Sequence, residues 1–72
     1  MNVSLLKYLV SLSENQVAVI DTNAFFEKYP RETYSSELYS LERMGFITLL
    51  NSNNKIKEIG VNKKAIDYVE KL

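Results

Sequence analysis

The stretch SSELYSLERMGFITLL, residues 35–50, changes from helical to strand-like spacing within a few residues. At about 100° per residue, Tyr34, Leu38 and Leu41 fall on one stripe of a helix, so the first half predicts a helix with one apolar side. Gly45 follows the last turn, where helices commonly end in a residue with positive φ that glycine adopts without strain. The run FITLL comes next and is typical of a strand. We therefore predict a helix that a glycine joins directly to a strand.

The sequence after the glycine predicts a β-hairpin and a last helix. FITLL and KIKEIGV are both typical of strands, and Asn53 and Asn54 between them tolerate the left-handed conformation of a tight turn. Asn62 is placed to cap a helix over KKAIDYVEKL, since its side-chain oxygen can accept from a free N–H of the first turn. One broad face of that helix would carry the apolar side chains of Ala65, Ile66, Tyr68, Val69 and Leu72.

The first part of the chain predicts a helix and a short strand. Asn2 can cap a helix that runs to about Leu12, and the apolar residues of this helix cover a wider arc than a single face. Such an arc predicts either a central helix or one whose flank meets a second chain. QVAVI, residues 16–20, is a β-branched run long enough for one small strand.

Two more helices are expected between this strand and the glycine. The second begins near Asn23, after a run of good capping residues, and ends before Pro30, because a proline disfavours helical geometry in the residue before it. The third begins at Pro30 or is capped by Thr33. The connection between the two helices is therefore short.

The composition indicates one small domain, residues 1–72, with a thin core. The chain has no cysteine, so it has neither a disulfide nor a zinc–thiolate site. No apolar run approaches the ~18 residues that a membrane span needs, and the N-terminus lacks the pattern of a signal peptide. We expect a soluble, cytoplasmic protein.

The residues that carry most enzyme chemistry are missing. There is no histidine, and the two glycines form no glycine-rich loop that could hold a phosphate. The carboxylates are scattered rather than paired within an apolar run. We expect no enzyme activity and no bound cofactor, metal or small-molecule ligand.

The predicted order is helix, short strand, short helix, helix, hairpin and helix. Two helices joined by a tight turn and followed by a hairpin are typical of a winged helix-turn-helix. The sequence therefore predicts an α+β fold, mainly α, with a three-helix core, a two-stranded wing and a C-terminal helix.

Two stretches resemble small bacterial and archaeal winged-helix regulators of the MarR-like and PadR-like families. At the end of their recognition helix the pattern runs leucine, two or three residues, Leu-Glu, two residues, glycine, an apolar residue and isoleucine. Here it is filled by Leu38, Leu41, Glu42, Gly45, Phe46 and Ile47. The stretch IGVNKKAIDYVEKL is similar to the segment after their wing. It matches at Val61, Asn62, Lys64, Val69 and Glu70, and departs at Ala65, where those families have glycine.

This resemblance covers residues 20–72 and implies a function. It implies a transcriptional regulator that binds double-stranded DNA as a homodimer. The third helix would lie in the major groove and the wing on the DNA backbone.

The candidate DNA-binding residues lie on the exposed side of the third helix and on the wing. Arginine and lysine can bind phosphate or guanine, and hydroxyl groups can donate to phosphate or base edges. The candidates are Arg31, Thr33, Ser35, Ser36, Tyr39, Ser40, Arg43, Lys55 and Lys57.

Each candidate also has a structural interpretation. Arg43 suits the negative end of the helix dipole, and the serines suit solvated positions. Tyr39 could pack on a sugar or a thymine methyl group, but equally on the wing or on a partner chain. Lys55 and Lys57 could contact phosphates or keep a strand edge from pairing with other chains.

The charge distribution supports two alternatives to DNA binding. The net charge is zero, and a carboxylate near phosphate weakens binding. Glu32 lies on the outward face of the third helix, whereas Glu37 and Glu42 fall nearer its sides, where they are tolerable. Residues 55–64 hold four lysines against one glutamate, a net charge of +3 and the main basic block of the chain. The alternatives are a winged-helix module that binds protein and an accessory domain of a replication protein. A homodimer would form through the first and last helices.

Overall fold

The chain forms four helices and three strands in a computed structural model that describes all of residues 1–72. In chain order they are α1 (Val3–Leu12), β1 (Ala18–Ile20), α2 (Thr22–Lys28), α3 (Arg31–Arg43), β2 (Ile47–Ser52), β3 (Lys55–Val61) and α4 (Lys63–Glu70). The strands form one antiparallel sheet, so the predicted α+β class is confirmed. None of the helices has the length and apolar character that crossing a membrane requires.

A side chain caps each of the first two helices, and the third begins after a proline without a side-chain cap. Asn2 Oδ1 accepts from the N–H of Leu5 at 2.9 Å, which confirms the predicted cap of α1. α2 starts at Thr22, one residue before the predicted start, because Asp21 Oδ1 accepts from the N–H of Asn23 at 2.9 Å. α3 starts directly after Pro30, so Thr33 lies inside this helix and does not cap it.

The predicted glycine stop is present at the end of α3. Gly45 has φ +84°, a conformation that side chains other than glycine adopt only with strain. The N–H of Phe46 donates to the C=O of Leu41, and the N–H of Gly45 donates to the C=O of Glu42. These two bonds make a Schellman motif, which satisfies carbonyl groups that the helix end would otherwise leave free. The chain then enters β2 two residues after the glycine.

The sheet has the order β1-β3-β2, and both neighbouring pairs are antiparallel. Asn53 and Asn54, with φ of 52° and 62°, form the two-residue turn between β2 and β3, as predicted. Two successive residues with positive φ give the strands the twist that a tight hairpin needs. The predicted strand at residues 16–20 is shortened to β1, which pairs with β3.

A β-bulge interrupts β3 near the hairpin turn. Leu50 lies opposite Glu58 and Asn51 lies opposite Ile56, so Lys57 has no partner in the register. The extra residue changes which side chains face the core, and Ile56 and Ile59 are both buried although they are three positions apart. The bulge therefore keeps both isoleucines inside and leaves Lys57 exposed.

The core is one cluster of fifteen buried apolar residues to which every element contributes. Leu5, Leu6 and Leu9 of α1 have no exposed surface. The wide apolar arc of this helix thus reflects its central place in the chain's own core. Burial of each such leucine contributes about 1.5–3 kcal/mol. In α4, Ala65 and Ile66 are buried as well.

Asn62 occupies the capping position of α4, but the predicted capping bond is wrong. Its side chain makes no hydrogen bond to the first turn of this helix. Instead its Nδ2 donates to the C=O of Gly45 at 3.2 Å, and its Oδ1 accepts from Thr48 Oγ1 at 3.2 Å. Asn62 therefore ties the end of β3 to the glycine stop and to the start of β2.

Candidate nucleic-acid interface

The exposed side of α3 carries a strip of polar side chains. Glu32, Thr33, Ser36 and Arg43 are exposed, while Leu38 and Leu41 on the opposite side are buried in the core. This side was predicted from the stripe of Tyr34, Leu38 and Leu41, and the burial pattern agrees with it. The strip offers hydroxyl and guanidinium donors together with one carboxylate, that of Glu32.

The hairpin presents a second polar surface. Residues 51–55 around its turn are all exposed, and so is Lys57. Lys55 and Lys57 flank the buried Ile56, so both lysines point outward from the strand, as predicted. The turn contributes the side-chain amides of Asn53 and Asn54, and the end of β2 contributes that of Asn51.

A hydrogen bond joins these two surfaces. Asn51 Nδ2 donates to the hydroxyl oxygen of Tyr39 at 2.8 Å, so the hairpin lies beside α3 at the middle of the helix. This bond gives Tyr39 a partner within the chain, which is the structural alternative stated for it above. The polar strip of α3 and the hairpin are therefore neighbours on the surface.

A second bond fixes the same two elements to each other. Glu42 Oε2 accepts from the backbone N–H of Leu49 on β2 at 2.9 Å. The carboxylate of Glu37 is also engaged, since Asn2 Nδ2 donates to its two oxygens at 3.2 and 3.3 Å. Of the three glutamates that argued against DNA binding, Glu32 is thus the exposed one, whereas Glu37 and Glu42 are half-buried.

Arg31 has an intramolecular role that the sequence did not reveal. Its Nη1 donates to the C=O of Ile56 at 2.8 Å, and its guanidinium carbon lies 4.1 Å from the ring centroid of Phe26. The side chain is half-buried between α2, α3 and β3. It holds the hairpin against the helices, and contact with DNA stays a prediction for it.

Thr22 fixes the adjacent carbonyl of the same strand. Its Oγ1 donates to the C=O of Lys57 at 3.0 Å, and the threonine is buried. Arg31 and Thr22 therefore hold two successive carbonyl groups at the β-bulge, from the first turns of α3 and α2. These contacts restrain the part of β3 that presents Lys55 and Lys57.

The three serine candidates occupy different environments. Ser35 is half-buried and donates to the C=O of Arg31 at 2.6 Å, one turn back along α3. Ser40 Oγ accepts from Arg43 Nη2 at 3.3 Å. Ser36 is exposed on the polar strip, next to the equally exposed Thr33. Ser36, Thr33 and Arg43 are thus the helix candidates most accessible to a ligand.

The basic block at residues 55–64 is divided by the fold. Lys55 lies at the hairpin turn, whereas Lys63 and Lys64 follow the other end of β3, about 20 Å away along a seven-residue strand. Lys64 Nζ donates to the C=O of Met44 at 2.5 Å and lies 5.1 Å from the ring centroid of Phe46. The expected single basic cluster is therefore wrong, and of its four lysines the hairpin carries Lys55 and Lys57.

The structure contains no group of three or more histidine, cysteine, aspartate or glutamate side chains that could hold a metal ion. Two surface depressions are present. The larger, about 670 Å³, lies between Phe46 and α4, and the smaller, about 410 Å³, lies between the N-terminus and α3. Of the candidates, Ser40 alone lines either of them.

A comparison with protein-family models finds none that matches the chain, and searches of curated proteins and of solved structures find no match.

Proposed function

We propose that this protein is a small winged helix-turn-helix protein that binds double-stranded DNA through α3 and the β2–β3 hairpin. The observation that carries the proposal is the bond from Asn51 to Tyr39. It joins α3 to the hairpin that carries Lys55 and Lys57, and this contact supports a shared surface of helix and hairpin. An α-helix fits the width of the DNA major groove, and lysines beside it can reach phosphates.

The strip and the hairpin have separate roles in this proposal. Thr33, Ser36 and Arg43 read base edges or nearby phosphates from α3. Lys55 and Lys57 bind the DNA backbone and supply most of the electrostatic affinity. Arg31 and Thr22 act as positioning residues, because they hold the hairpin strand at a fixed place relative to the helix.

In this proposal the protein acts as a homodimer and regulates transcription. Two copies of the interface double the number of phosphate contacts, and the salt dependence of binding rises with that number. In such a dimer the two α3 helices lie about 34 Å apart, so that they enter adjacent major grooves.

A salt titration with random-sequence duplex DNA tests this function. We expect measurable binding at low salt, because two lysines and one arginine per chain face the duplex. Affinity should fall steeply towards physiological salt as counterions return to the phosphates. Failure to bind the duplex even at low salt would contradict the proposal.

A protein-binding module of the same fold is the second candidate. The exposed carboxylate of Glu32 on the strip and the zero net charge of the chain favour it, since both weaken attraction to phosphate. The same titration separates the two, because a protein-binding module has no salt-dependent affinity for random duplexes.

A further inference from the structure

β1 is an edge strand with a free side. The sheet order places β3 on one side of it and no strand on the other. Edge strands present backbone N–H and C=O groups that another strand can pair with, and proteins usually guard them with charges, proline or a covering element.

The hydrogen-bond pattern of the sheet determines which groups of β1 point outward. The N–H of Asn62 donates to the C=O of Phe46 at 3.0 Å, and these residues continue the β2–β3 register as a hydrogen-bonded pair. Hydrogen-bonded and non-hydrogen-bonded pairs alternate along an antiparallel ladder. The next hydrogen-bonded pair is therefore that of Gly60 with Thr48, so Gly60 also bonds to β2. Val19 lies opposite Gly60 and therefore turns its own N–H and C=O away from β3.

The other edge of the sheet is guarded. By the same alternation Ile47 and Leu49 turn their N–H groups outward on β2, and the N–H of Leu49 donates to the carboxylate of Glu42. α3 thus covers this edge with a charged side chain. The contrast with β1 is direct, because residues 15–20 contain no charged side chain and no proline.

The side chains beside the free edge are apolar and exposed. Val17 and Val19 are 66% and 67% exposed, which makes them the most exposed large apolar side chains of the chain. Isolated exposed valines are ordinary, but these two flank the unpaired backbone groups of an unguarded edge. Together they offer hydrogen bonds and an apolar contact to one more strand.

We propose that β1 pairs antiparallel with β1 of a second copy of this chain, across a two-fold axis at Val19. Val19 would then donate to and accept from its counterpart, and the two sheets would join into six strands. The edge is self-complementary because one residue supplies both the donor and the acceptor. Charge repulsion does not oppose the pairing of two copies, since residues 15–20 carry no charged side chain and the whole chain has zero net charge. The nearby carboxylate of Asp21 is held by the N–H of Asn23.

This inference rests on the proposed function in so far as that function uses a dimer, but it assigns the dimer a surface other than the first and last helices. Most apolar residues of those helices already lie in the core, among them Leu5, Leu6, Leu9 and Ile66. The β1 edge is short. A standard interface buries about 800 Å² per partner, roughly a sixth of the 4582 Å² surface of this chain, and a three-residue strand covers less. The dimer is therefore reversible and depends on concentration.

Analytical ultracentrifugation without DNA tests the interface. For the native chain we expect the mass to rise from that of one chain, 8.3 kDa, towards twice that value between about 20 µM and about 1 mM protein. Val19→Lys should abolish this rise. Leu50→Lys is the matched control, since Leu50 is 56% exposed on the same outer face of the sheet but on the guarded strand.

A second variant and a second measurement keep the test decisive should Val19→Lys fail to fold. Val17→Lys places a charge beside the edge without altering the strand itself. Amide hydrogen exchange of Val19 in the native chain should slow about tenfold or more as the protein concentration rises to about 1 mM, since pairing protects its N–H.

Two results would overturn the inference. One is a native chain that stays monomeric at about 1 mM with a concentration-independent exchange rate for Val19. The other is self-association that folded Val19→Lys or Val17→Lys leaves unchanged. DNA binding is measured in parallel. A chain that dimerises through β1 but does not bind DNA would contradict the proposed function and leave this inference intact.

Discussion

Asn51 on the hairpin donates a hydrogen bond to the hydroxyl of Tyr39 on α3 at 2.8 Å. The bond lies at the surface, where it contributes little to stability, yet it determines how the hairpin sits relative to the exposed side of the helix. Glu42 bonds to the backbone of β2 and Arg31 to that of β3, and these bonds also hold the hairpin in place relative to α3. The proposed interface is thus a helix and a hairpin held in one orientation.

Tyr39→Phe tests whether this orientation matters. The change keeps the ring and removes the acceptor, so we expect a loss of stability below about 1 kcal/mol for an exposed pair. Affinity for duplex DNA should fall a few-fold, because the hairpin lysines are less fixed relative to α3. Urea unfolding and fluorescence anisotropy measure the two effects, with Tyr68→Phe on α4 as a control. Unchanged affinity would show that the bond does not position the hairpin.

Arg31→Lys separates positioning from direct contact with DNA. Lysine keeps the charge but loses the planar group that stacks on Phe26 and reaches the C=O of Ile56. We expect a loss of about 1 kcal/mol in the free energy of unfolding, as for a typical hydrogen bond, and no change in the salt dependence of DNA binding.

Arg31→Gln provides the comparison for that experiment, because it removes the charge as well. If Arg31 acts by position, both variants lose similar stability and keep the salt slope of the native chain. A slope that falls by about 0.9 per chain in Arg31→Gln alone would mean that the arginine contacts a phosphate.

Gly45→Ala tests the glycine stop. At φ +84° an alanine side chain costs about 1–2 kcal/mol, so the variant should unfold at a lower denaturant concentration. Gly60→Ala is the matched control. Gly60 has no positive φ, and an added Cβ there would meet Thr48 at an ordinary 3.6 Å. Equal destabilisation in the two variants would contradict the role assigned to Gly45.

Lys55→Glu combined with Lys57→Glu tests the hairpin as the source of affinity. Both side chains are exposed, so we expect the fold to be unaffected and binding to random duplex to be lost. Lys63→Glu combined with Lys71→Glu gives the same change of net charge at exposed positions at the two ends of α4, away from the interface. If the control pair weakens binding as much as the hairpin pair, the effect comes from net charge and not from the hairpin.

Most of the local structure could be predicted from the sequence. Asn2, Gly45, Asn53 and Asn54 act on neighbouring residues, and each was identified because its residue type suits one backbone conformation. The apolar stripe of α3 could be predicted equally well, since the buried positions of a helix follow its period.

The long-range contacts could not be predicted in this way. Arg31 bonds to a carbonyl 25 positions later, and Thr22 to one 35 positions later, and no spacing rule connects such residues. Arg31 was therefore assigned to DNA when its guanidinium is engaged within the chain. Lys64 was assigned to a basic cluster for the same reason, although the fold directs it to the end of α3.

Amide chemical shifts of the native chain, followed as a random-sequence duplex is added at low salt, test DNA binding through α3 and the hairpin most directly. We expect the largest changes on Thr33, Ser36 and Arg43 of α3 and on residues 53–57 of the hairpin, and we expect them to disappear at high salt. Changes confined to other elements, or no changes at all, would contradict the proposal.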